Sequence, residues 1–203
     1  MSAVDLLLED VTGIVLAGGR STRFGSDKLA VEIDGRPLLH RAIAAVAVVA
    51  ARVVVVAAPG VEPAIPAELL ARVRVIHDPE SFGGPLVGLA TALDDVESAV
   101  AIVVGGDMPR LVPVVLHRLA VTVGTRHGAA TLEVPGRIQP LPMAVDVATA
   151  RRAAILVRGR GGRSLRELLR ELSAISIPAP VWLALDPAGS TIADIDRPTD
   201  LDR

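Results

Sequence analysis

The sequence predicts an α/β fold in which helices cover both faces of a mostly parallel central sheet. Short β-branched apolar runs, bounded by glycine, proline or charged residues, recur in the first half of the chain and are typical of buried parallel strands. Helical stretches with short connections separate them, which indicates right-handed strand–helix–strand units. The 203 residues, 51% of them hydrophobic, suffice for a sizeable core. We therefore expect a loose lead-in at residues 1–12 and a single domain at residues 13–203.

Prolines and glycines mark where the predicted elements of the first half begin and end. Pro37 and Pro85 stand where a helix tolerates a residue without an N–H group, so a helix is expected at each place. The dipeptide Asp34-Gly35 predicts a turn. The predicted elements are, in order, strands at 14–17 and 29–33, a helix at 38–51, a strand at 52–58, a short helix at 67–73, a strand at 74–77, a helix from 85 to about 96, and a strand at 99–104.

The second half of the chain is less regular. Pro135-Gly136 between two apolar runs predicts a hairpin, and the prolines within 139–142 indicate that part of it is an edge or a loop. Ser164 has the side chain of an N-cap. The basic segment 158–163 could receive an anionic acceptor, but we expect a mobile surface loop. The predicted elements are, in order, a helix at 113–122, strands at 129–134 and 138–145, helices at 148–157 and 165–172, strands at 174–177 and 182–185, and a helical turn at 197–201.

Composition and charge argue against several kinds of partner. A net charge of −2 without interleaved aromatic and basic residues disfavours nucleic acid. The longest apolar run, residues 42–51, is too short to span a bilayer, and the first residues lack the cationic start of a secretion signal. The absence of cysteine excludes disulfides, thiolate zinc sites and iron–sulfur clusters. We therefore expect a cytoplasmic protein that does not bind membranes.

The stretch 13–28 predicts a phosphate-binding loop at the end of the first strand. Gly18 and Gly19 let the backbone approach a ligand, and three cations follow, among them Arg23 and Lys28. Backbone N–H groups beside cations form a receptor for polyphosphate. The spacing matches neither the P-loop nor the dinucleotide-binding motif. Lys28 is the one lysine of the sequence, and its compact charge suits a phosphate. An ordinary solvated loop is the alternative.

Aspartates follow the predicted strands. Asp78 and Asp107 come at strand ends, which a parallel sheet brings to one edge together with the loop 13–28, and ligands of α/β proteins bind there. Asp107 suits Mg²⁺, which prefers one or two carboxylates plus substrate phosphates. Asp194 or Asp196 could supply a second carboxylate, because alternation puts both on one strand face. Helix capping is the alternative for these acids. The arrangement predicts phosphoryl-type chemistry by positioning and charge neutralisation.

Five segments together resemble the molybdenum cofactor guanylyltransferases, the MobA-like nucleotidyltransferases, in order and spacing. The segments are LAGGRSTRFGSDK, DPESFGGPLVGL, GGDMP, RIQPLPMAV and DIDRPTDL. The resemblance implies a three-layer α/β/α Rossmann-like nucleotidyltransferase fold. It also implies a Mg²⁺-dependent transfer of GMP from GTP to molybdopterin, with release of pyrophosphate. Molybdoenzymes or their chaperones would then be the partners that receive the product.

The resemblance also implies roles for individual residues. Arg23, Lys28 and Asp107 would be catalytic, the first two by neutralising the triphosphate and the departing pyrophosphate. Asp107 and Asp196 would hold Mg²⁺. The residues implied to face the pterin acceptor are Gln139, Asp194 and Asp196. The residues implied to bind the nucleotide are Leu16, Ala17, Gly18, Gly19, Lys28, Asp78, Gly84, Gly88 and Asp107, with Gly83 shaping the same wall.

Departures from the family pattern leave the base specificity open. Val56 and Ala57 stand where members often carry an asparagine near the base, and Asp194 and Asp196 replace a common Asn-x-Asn. The motif at 16–19 favours the guanylyl branch. The alternatives are a CTP-dependent molybdopterin cytidylyltransferase, another small NTP transferase such as one acting on a sugar 1-phosphate, and a non-catalytic accessory protein that binds the cofactor. Retention of both a phosphate-loop lysine and a metal carboxylate disfavours the accessory protein.

Overall fold

A computed structural model describes residues 6–18, 28–79 and 83–200 of the chain, and within them nine strands and six α-helices. The strands are β1 (Leu8–Leu16), β2 (Glu32–Ile33), β3 (Arg36–Pro37), β4 (Ala50–Ala57), β5 (Val73–His77), β6 (Val100–Gly105), β7 (Ala129–Val134), β8 (Arg137–Asp146) and β9 (Ile175–Ile177). The helices are α1 (Leu38–Ala47), α2 (Pro85–Asp95), α3 (Pro113–Arg126), α4 (Val147–Gly159), α5 (Leu165–Glu171) and α6 (Ala179–Leu183).

Seven strands form one sheet in the order β5-β4-β1-β6-β8-β7-β9, and β2 and β3 form a separate antiparallel hairpin. The first four strands in this order, β5, β4, β1 and β6, are parallel to one another, whereas β8 runs antiparallel to both β6 and β7. The mostly parallel sheet predicted from the apolar runs is confirmed. Consequently β1, β4, β5 and β6 all end at the same edge of the sheet.

The sheet separates two hydrophobic cores. Neighbouring residues of β1 point to opposite faces, so that Val15 lies in one core and Ile14 in the other. On the first face α1 and α3 contribute Leu39, Ile43, Val46, Leu116 and Leu119. On the second face α2, α4 and α5 contribute Leu86, Leu89, Leu93, Ala150, Leu165 and Leu168. Helices on both faces of the sheet make the three layers, α/β/α, that the resemblance implied.

The first strand begins earlier than expected, so the loose lead-in predicted at 1–12 is wrong for residues 8–12. The N–H group of Leu8 donates to the carbonyl of Val49 at 2.8 Å, and Val11 is buried in the first core. The first helix is shorter than predicted, since β4 already starts at Ala50. The helix predicted at 67–73 is only a 3₁₀ turn, Ala67–Leu69.

In the second half one prediction is corrected, and the edge or loop expected within 139–142 proves to be an edge. The expected strand at 182–185 is wrong, because these residues continue or follow the short helix α6, which starts directly after Pro178. The indole N–H of Trp182 donates to the carbonyl of Glu133 at 3.0 Å, which anchors this helix to β7. The proline-containing stretch 139–142 belongs to the continuous strand β8 rather than to a loop. Only residues 143–146 of β8 pair with β6, so the prolines lie beyond that pairing.

Candidate active site

Backbone hydrogen bonds join the strand ends at one edge of the sheet. The N–H group of Ala17, just after β1, donates to the carbonyl of Val56 on β4 at 2.8 Å. The N–H group of Gly106, just after β6, donates to the carbonyl of Leu16 at 2.9 Å. Asp78 is tied in the same way, its N–H group donating to the carbonyl at the end of β4 at 2.9 Å. The segments that carry the predicted nucleotide-binding residues therefore meet at one edge.

Lys28 lies between two carboxylates at this edge. Its Nζ donates to Oδ2 of Asp107 at 2.9 Å and to Oδ1 of Asp196 at 3.1 Å. Asp107 and Asp196 are 79 and 168 residues away in the sequence, so only the fold can bring them to the lysine. The side chain of Lys28 is 12% exposed. The structure thus brings Lys28 and Asp107 together as expected from the strand ends, while their catalytic roles stay predictions.

The charges of this cluster are strongly coupled. Burial alone would lower the pKa of Lys28, but the hydrogen bonds and negative charges of Asp107 and Asp196 outweigh it and raise the pKa. Asp194 is exposed at the rim, yet protein atoms remove part of the water around its carboxyl group. This desolvation, followed by the charges of Asp196 and Asp107, raises the pKa of Asp194. The site therefore carries more negative than positive charge among these four groups, and it suits a ligand that brings a cation.

A backbone hydrogen bond and close packing against Gly105 hold Asp107 in place. The carbonyl of Asp107 accepts a hydrogen bond from the N–H group of Ile195 at 3.0 Å, which places Asp196 beside Lys28. A Cβ atom on Gly105 would lie 2.5 Å from Oδ1 of Asp107, so a side chain at residue 105 would displace the carboxylate. Gly105 and Gly106 open the GGDMP segment, and neither was predicted to have a role in the site. The signal was glycine at the end of a strand, because such a glycine often marks a place where another group approaches the backbone closely.

Asp78, Gly88 and Val56 pack together and form a wall beside the strand ends. A Cβ atom on Gly88 would lie 3.3 Å from Oδ2 of Asp78 and 3.2 Å from Cγ1 of Val56, so α2 packs closely under the carboxylate. That Gly88 shapes the wall of a nucleotide pocket stays a prediction. Val56 occupies the position at which family members often carry an asparagine, and here its side chain belongs to the second core.

Gly84 brings the basic segment 158–163 to this wall. Gly84 has φ +93°, and a Cβ atom there would lie 2.9 Å from the carbonyl oxygen of Arg163. The same carbonyl accepts a hydrogen bond from the N–H group of Leu86 at 3.3 Å. Residues 158 and 159 belong to α4, and a capping box at Ser164 starts α5 directly after the segment. Five of the six residues of the segment are exposed, so it lies at the surface as expected, while both of its ends are joined to helices. Its mobility stays a prediction.

The remaining predicted site residues are placed less directly. Gln139 lies on β8 beyond its pairing with β6, at the edge where Asp107 lies, and its side-chain amide donates to the carbonyl of Leu141 at 2.7 Å. Gly18 follows β1 and faces the backbone of residues 57 and 58. Gly19 and Arg23 lie outside the described residues. Among the described residues, no three or more His, Asp or Glu side chains are arranged as a metal centre.

A family model described as the MobA-like NTP transferase domain matches residues 13–175. The chain is 32% identical to a probable molybdenum cofactor guanylyltransferase of Chloroflexus aggregans over 94% of this chain and 91% of that protein. It is 34% identical to a molybdenum cofactor guanylyltransferase of Xanthomonas euvesicatoria over 79% of each chain.

Solved structures share the fold at lower identity. Molybdopterin-guanine dinucleotide biosynthesis protein A of Archaeoglobus fulgidus superposes with a TM-score of 0.78, at 22% identity and 95% coverage of both chains. The 2-C-methyl-D-erythritol 4-phosphate cytidylyltransferase of Thermus thermophilus superposes with a TM-score of 0.67, at 21% identity, covering 93% of this chain and 94% of that one. These likenesses support a nucleotidyltransferase fold. In the described part of the chain, every helix is too short or too polar to cross a bilayer.

Proposed function

Because the chain belongs to the family of MobA-like NTP transferases, and within it matches molybdenum cofactor guanylyltransferases over nearly its whole length, we propose that it transfers GMP from GTP to molybdopterin. The observation that supports the proposed chemistry is the ammonium group of Lys28, which lies between Asp107 and Asp196 at the strand ends. The similar proteins named here from sequence are guanylyltransferases, so the CTP-dependent and accessory alternatives are not favoured.

In the proposed reaction, a phosphate oxygen of molybdopterin attacks the α-phosphorus of GTP. The bond from the α-phosphorus to the bridging oxygen breaks, and pyrophosphate leaves with the electron pair. Lys28 would turn from the carboxylates to the triphosphate and neutralise the charge that develops on pyrophosphate, and Arg23 would assist it. The backbone of residues 16–19 would cradle the phosphates, while Asp78, with Gly83, Gly84 and Gly88 beside it, would form the nucleotide wall.

The carboxylates of Asp107 and Asp196 fit a Mg²⁺ ion. Both oxygens lie within 3.1 Å of one ammonium nitrogen, so they face a common point that a cation already occupies. Mg²⁺ is usually held by one or two carboxylates and by substrate phosphates rather than by a full protein cage, which agrees with a pair of acids. When bound, Mg²⁺ supplies positive charge that polarises the phosphate oxygens. We propose that Asp107 and Asp196 hold this ion.

The acceptor would enter from the side of Gln139 and Asp194. Gln139 lies at the same sheet edge as Asp107. Asp194 lies two residues before Asp196, whose carboxylate contacts Lys28. An amide can donate hydrogen bonds to a pterin or a phosphate, whereas an aspartate would accept them from the pterin ring. We also propose that the reaction takes place in the cytoplasm and that molybdoenzymes or their chaperones receive the product. The absence of cysteine agrees with a reducing compartment.

Pyrophosphate release tests the proposed function. The purified protein would be supplied with molybdopterin, Mg²⁺ and either GTP or CTP. We expect pyrophosphate with GTP, much slower release with CTP, and no release without molybdopterin or with EDTA. Faster release with CTP would replace the guanylyl assignment by a cytidylyl one. Binding of GTP and molybdopterin without any pyrophosphate would favour the accessory protein.

A further inference from the structure

We propose that Arg41 is a positioning residue of this site, whose guanidinium group holds the segment that carries Lys28 and the loop that carries Asp107 in a fixed relation. Arg41 lies on α1, and its hydrogen bonds to other described residues go to Ile33, Asp34 and Pro109 rather than to Lys28 or Asp107. Its Nη1 donates to the carbonyl of Ile33 at 3.0 Å, and its Nε donates to the carbonyl of Pro109 at 3.3 Å. One planar group thus spans two segments distant in sequence.

The first carbonyl belongs to the short segment that follows Lys28. The N–H group of Val31 donates to the carbonyl of Lys28 at 3.2 Å, which closes a 3₁₀ turn. The N–H group of Leu38 donates to the carbonyl of Val31 at 2.9 Å, so this turn is tied to the start of α1. Ile33 lies in the β2–β3 hairpin between these two points. Arg41 therefore holds the segment that connects Lys28 to the start of α1.

The second carbonyl belongs to the loop after β6. Pro109 lies two residues after Asp107, and the intervening Met108 is buried, with its Sδ accepting a hydrogen bond from the N–H group of Gly105 at 3.4 Å. The loop is therefore compact, and a displacement at Pro109 would be transmitted to Asp107. The bond from Arg41 holds this loop at Pro109, and the N–H group of Ile195 holds it at the carbonyl of Asp107.

The chemistry of arginine suits this role. A guanidinium group offers several N–H donors in a fixed plane, so one side chain can bind two carbonyls at a set angle. The side chain of Arg41 is 26% exposed. Its ion pair with Asp34 joins it to a carboxylate that is 83% exposed, at 3.4 Å, and such a surface pair contributes little. The ion pair with Asp34 does not explain why Arg41 also donates hydrogen bonds to two carbonyl groups.

Two other arginines provide a comparison within the same molecule. Arg72 donates to the carbonyl of Ala47 at the end of α1 at 2.8 Å, and to the carbonyls of Ala50 and Ala51 at the start of β4. Arg151 donates to the carbonyl of Leu93 at the end of α2. Both helix ends lead into the starts of strands, at the sheet edge opposite to the site. Arg41 makes the same kind of contact at the site edge, so Arg72 is a matched control for the stability that such contacts provide.

The proposal rests on the proposed function for its kinetic test. A misplacement of about 1 Å between catalytic groups can reduce a rate by about 10²-fold. We expect Arg41→Met to lower kcat for GTP-dependent pyrophosphate release by about 10-fold to 10²-fold, with a much smaller change in KM for GTP. Arg41→Lys, which keeps the charge but not the fork, should recover part of the loss. Arg72→Met should lower thermal stability comparably and leave kcat near that of the natural protein.

A second measurement does not depend on turnover. Lys28 is the one lysine in the sequence, so protein grown with lysine labelled with ¹³C at Cε gives a single lysine signal. We expect Arg41→Met to shift this signal or split it, and Arg72→Met to leave it in place. An unchanged signal and unchanged kcat in Arg41→Met would overturn the proposal. So would equal effects of Arg41→Met and Arg72→Met, because these would mark a general loss of stability.

The two readouts separate the proposals from each other. If the natural protein releases no pyrophosphate, the proposed function fails, while the lysine signal still decides whether Arg41 positions Lys28. If Arg41→Met does not fold, the signal and the kcat of Arg41→Lys decide the question in its place. An Arg41→Lys variant identical to the natural protein in both readouts would then overturn the proposal.

Discussion

A single ammonium group shared by two carboxylates is the central feature at the scale of residues. Sequence reasoning could predict that Lys28 and Asp107 meet, because parallel strands end at a common edge and each residue follows such an end. It could not predict the roles of Gly105 or Arg41. The role of Gly105 depends on the distance between its Cα atom and the carboxylate of Asp107. The role of Arg41 depends on which carbonyl groups its side chain reaches. Local residue patterns encode neither of these.

Substitution of Lys28 or Asp107 should affect turnover much more than folding. We expect Lys28→Ala and Asp107→Ala each to reduce pyrophosphate release by about 10²-fold to 10³-fold, because each removes one well-placed charge stabiliser. The raised pKa of Lys28 keeps the ammonium charged at every pH below its ordinary value of 10.5, so the loss in Lys28→Ala should not vary across the neutral range. Steady-state assays at several pH values would measure this.

The control for this pair is Arg74→Ala. Arg74 lies near the start of β5, at the sheet edge opposite to the site, and its exposed side chain pairs with the half-buried Asp95 at 3.0 Å, so its removal should leave turnover unchanged. Turnover of Lys28→Ala or Asp107→Ala close to that of Arg74→Ala would contradict the catalytic assignment of that residue. Circular dichroism of each variant would establish that the fold persists.

At the scale of elements, the segment that carries Asp196 is held by a buried polar network. Asp186 accepts hydrogen bonds from the N–H group of Thr191 at 2.7 Å and from the hydroxyl of Ser190 at 2.9 Å. The hydroxyl of Thr191, which is fully buried, accepts one from the N–H group of Val112 at 3.1 Å. The network therefore ties residues 190–196 to the loop that follows Asp107, and no sequence motif indicated it.

We expect Asp186→Asn to lower the free energy of unfolding at neutral pH by roughly 2 kcal/mol, because hydrogen bonds to a charged acceptor are the stronger ones. Burial acts to raise the pKa of Asp186, but the bonds from Thr191 and Ser190 outweigh it and lower the pKa. The stabilisation from ionised Asp186 is therefore present above the unfolded value of 3.8 and lost as the pH falls through the folded pKa. Denaturant unfolding at pH 7 and in acid would measure the difference.

Asp94→Asn is the control for the same experiment, because Asp94 is largely exposed and pairs weakly with Arg151 at 3.7 Å. It should change stability little at either pH. A loss in Asp186→Asn that stays constant into acid would mean that packing, rather than the charge of Asp186, holds the segment.

Some elements were predictable from local pattern and others were not. The N-cap at Ser164 and the apolar run of β6 were found within one or two residues, because each depends on neighbours in sequence. The apolar run around Trp182 suggested a strand, but the chain forms α6 there. Pro178 and Pro180 stand at and just after the start of this helix, where proline is tolerated, and were the overlooked signal.

At the scale of the whole molecule, the central sheet is shared by both hydrophobic cores. The parallel half of the sheet could be predicted from alternating strands and helices, whereas the insertion of β8 between β6 and β7 could not. That order depends on which strand edge remains unpaired after the parallel half has formed, and residues far apart in sequence decide it. The prolines of β8 indicated an edge, and they do lie in the part of the strand that has no pairing with β6, although the rest of β8 lies inside the sheet.

A shared sheet should make the described chain unfold as one unit, as a single domain requires, although chains of this length often populate intermediates. Trp182 is the one tryptophan in the sequence and lies in the core that contains Leu119, whereas Leu169 lies in the core on the opposite face. Each Leu→Ala substitution should cost about 2–5 kcal/mol. We expect Leu169→Ala to move the denaturation midpoint of Trp182 fluorescence as far as that of far-UV circular dichroism, and Leu119→Ala to do the same. If Leu169→Ala lowered only the midpoint seen by circular dichroism, the two faces would unfold separately, because tryptophan would then report a core that the substitution leaves intact.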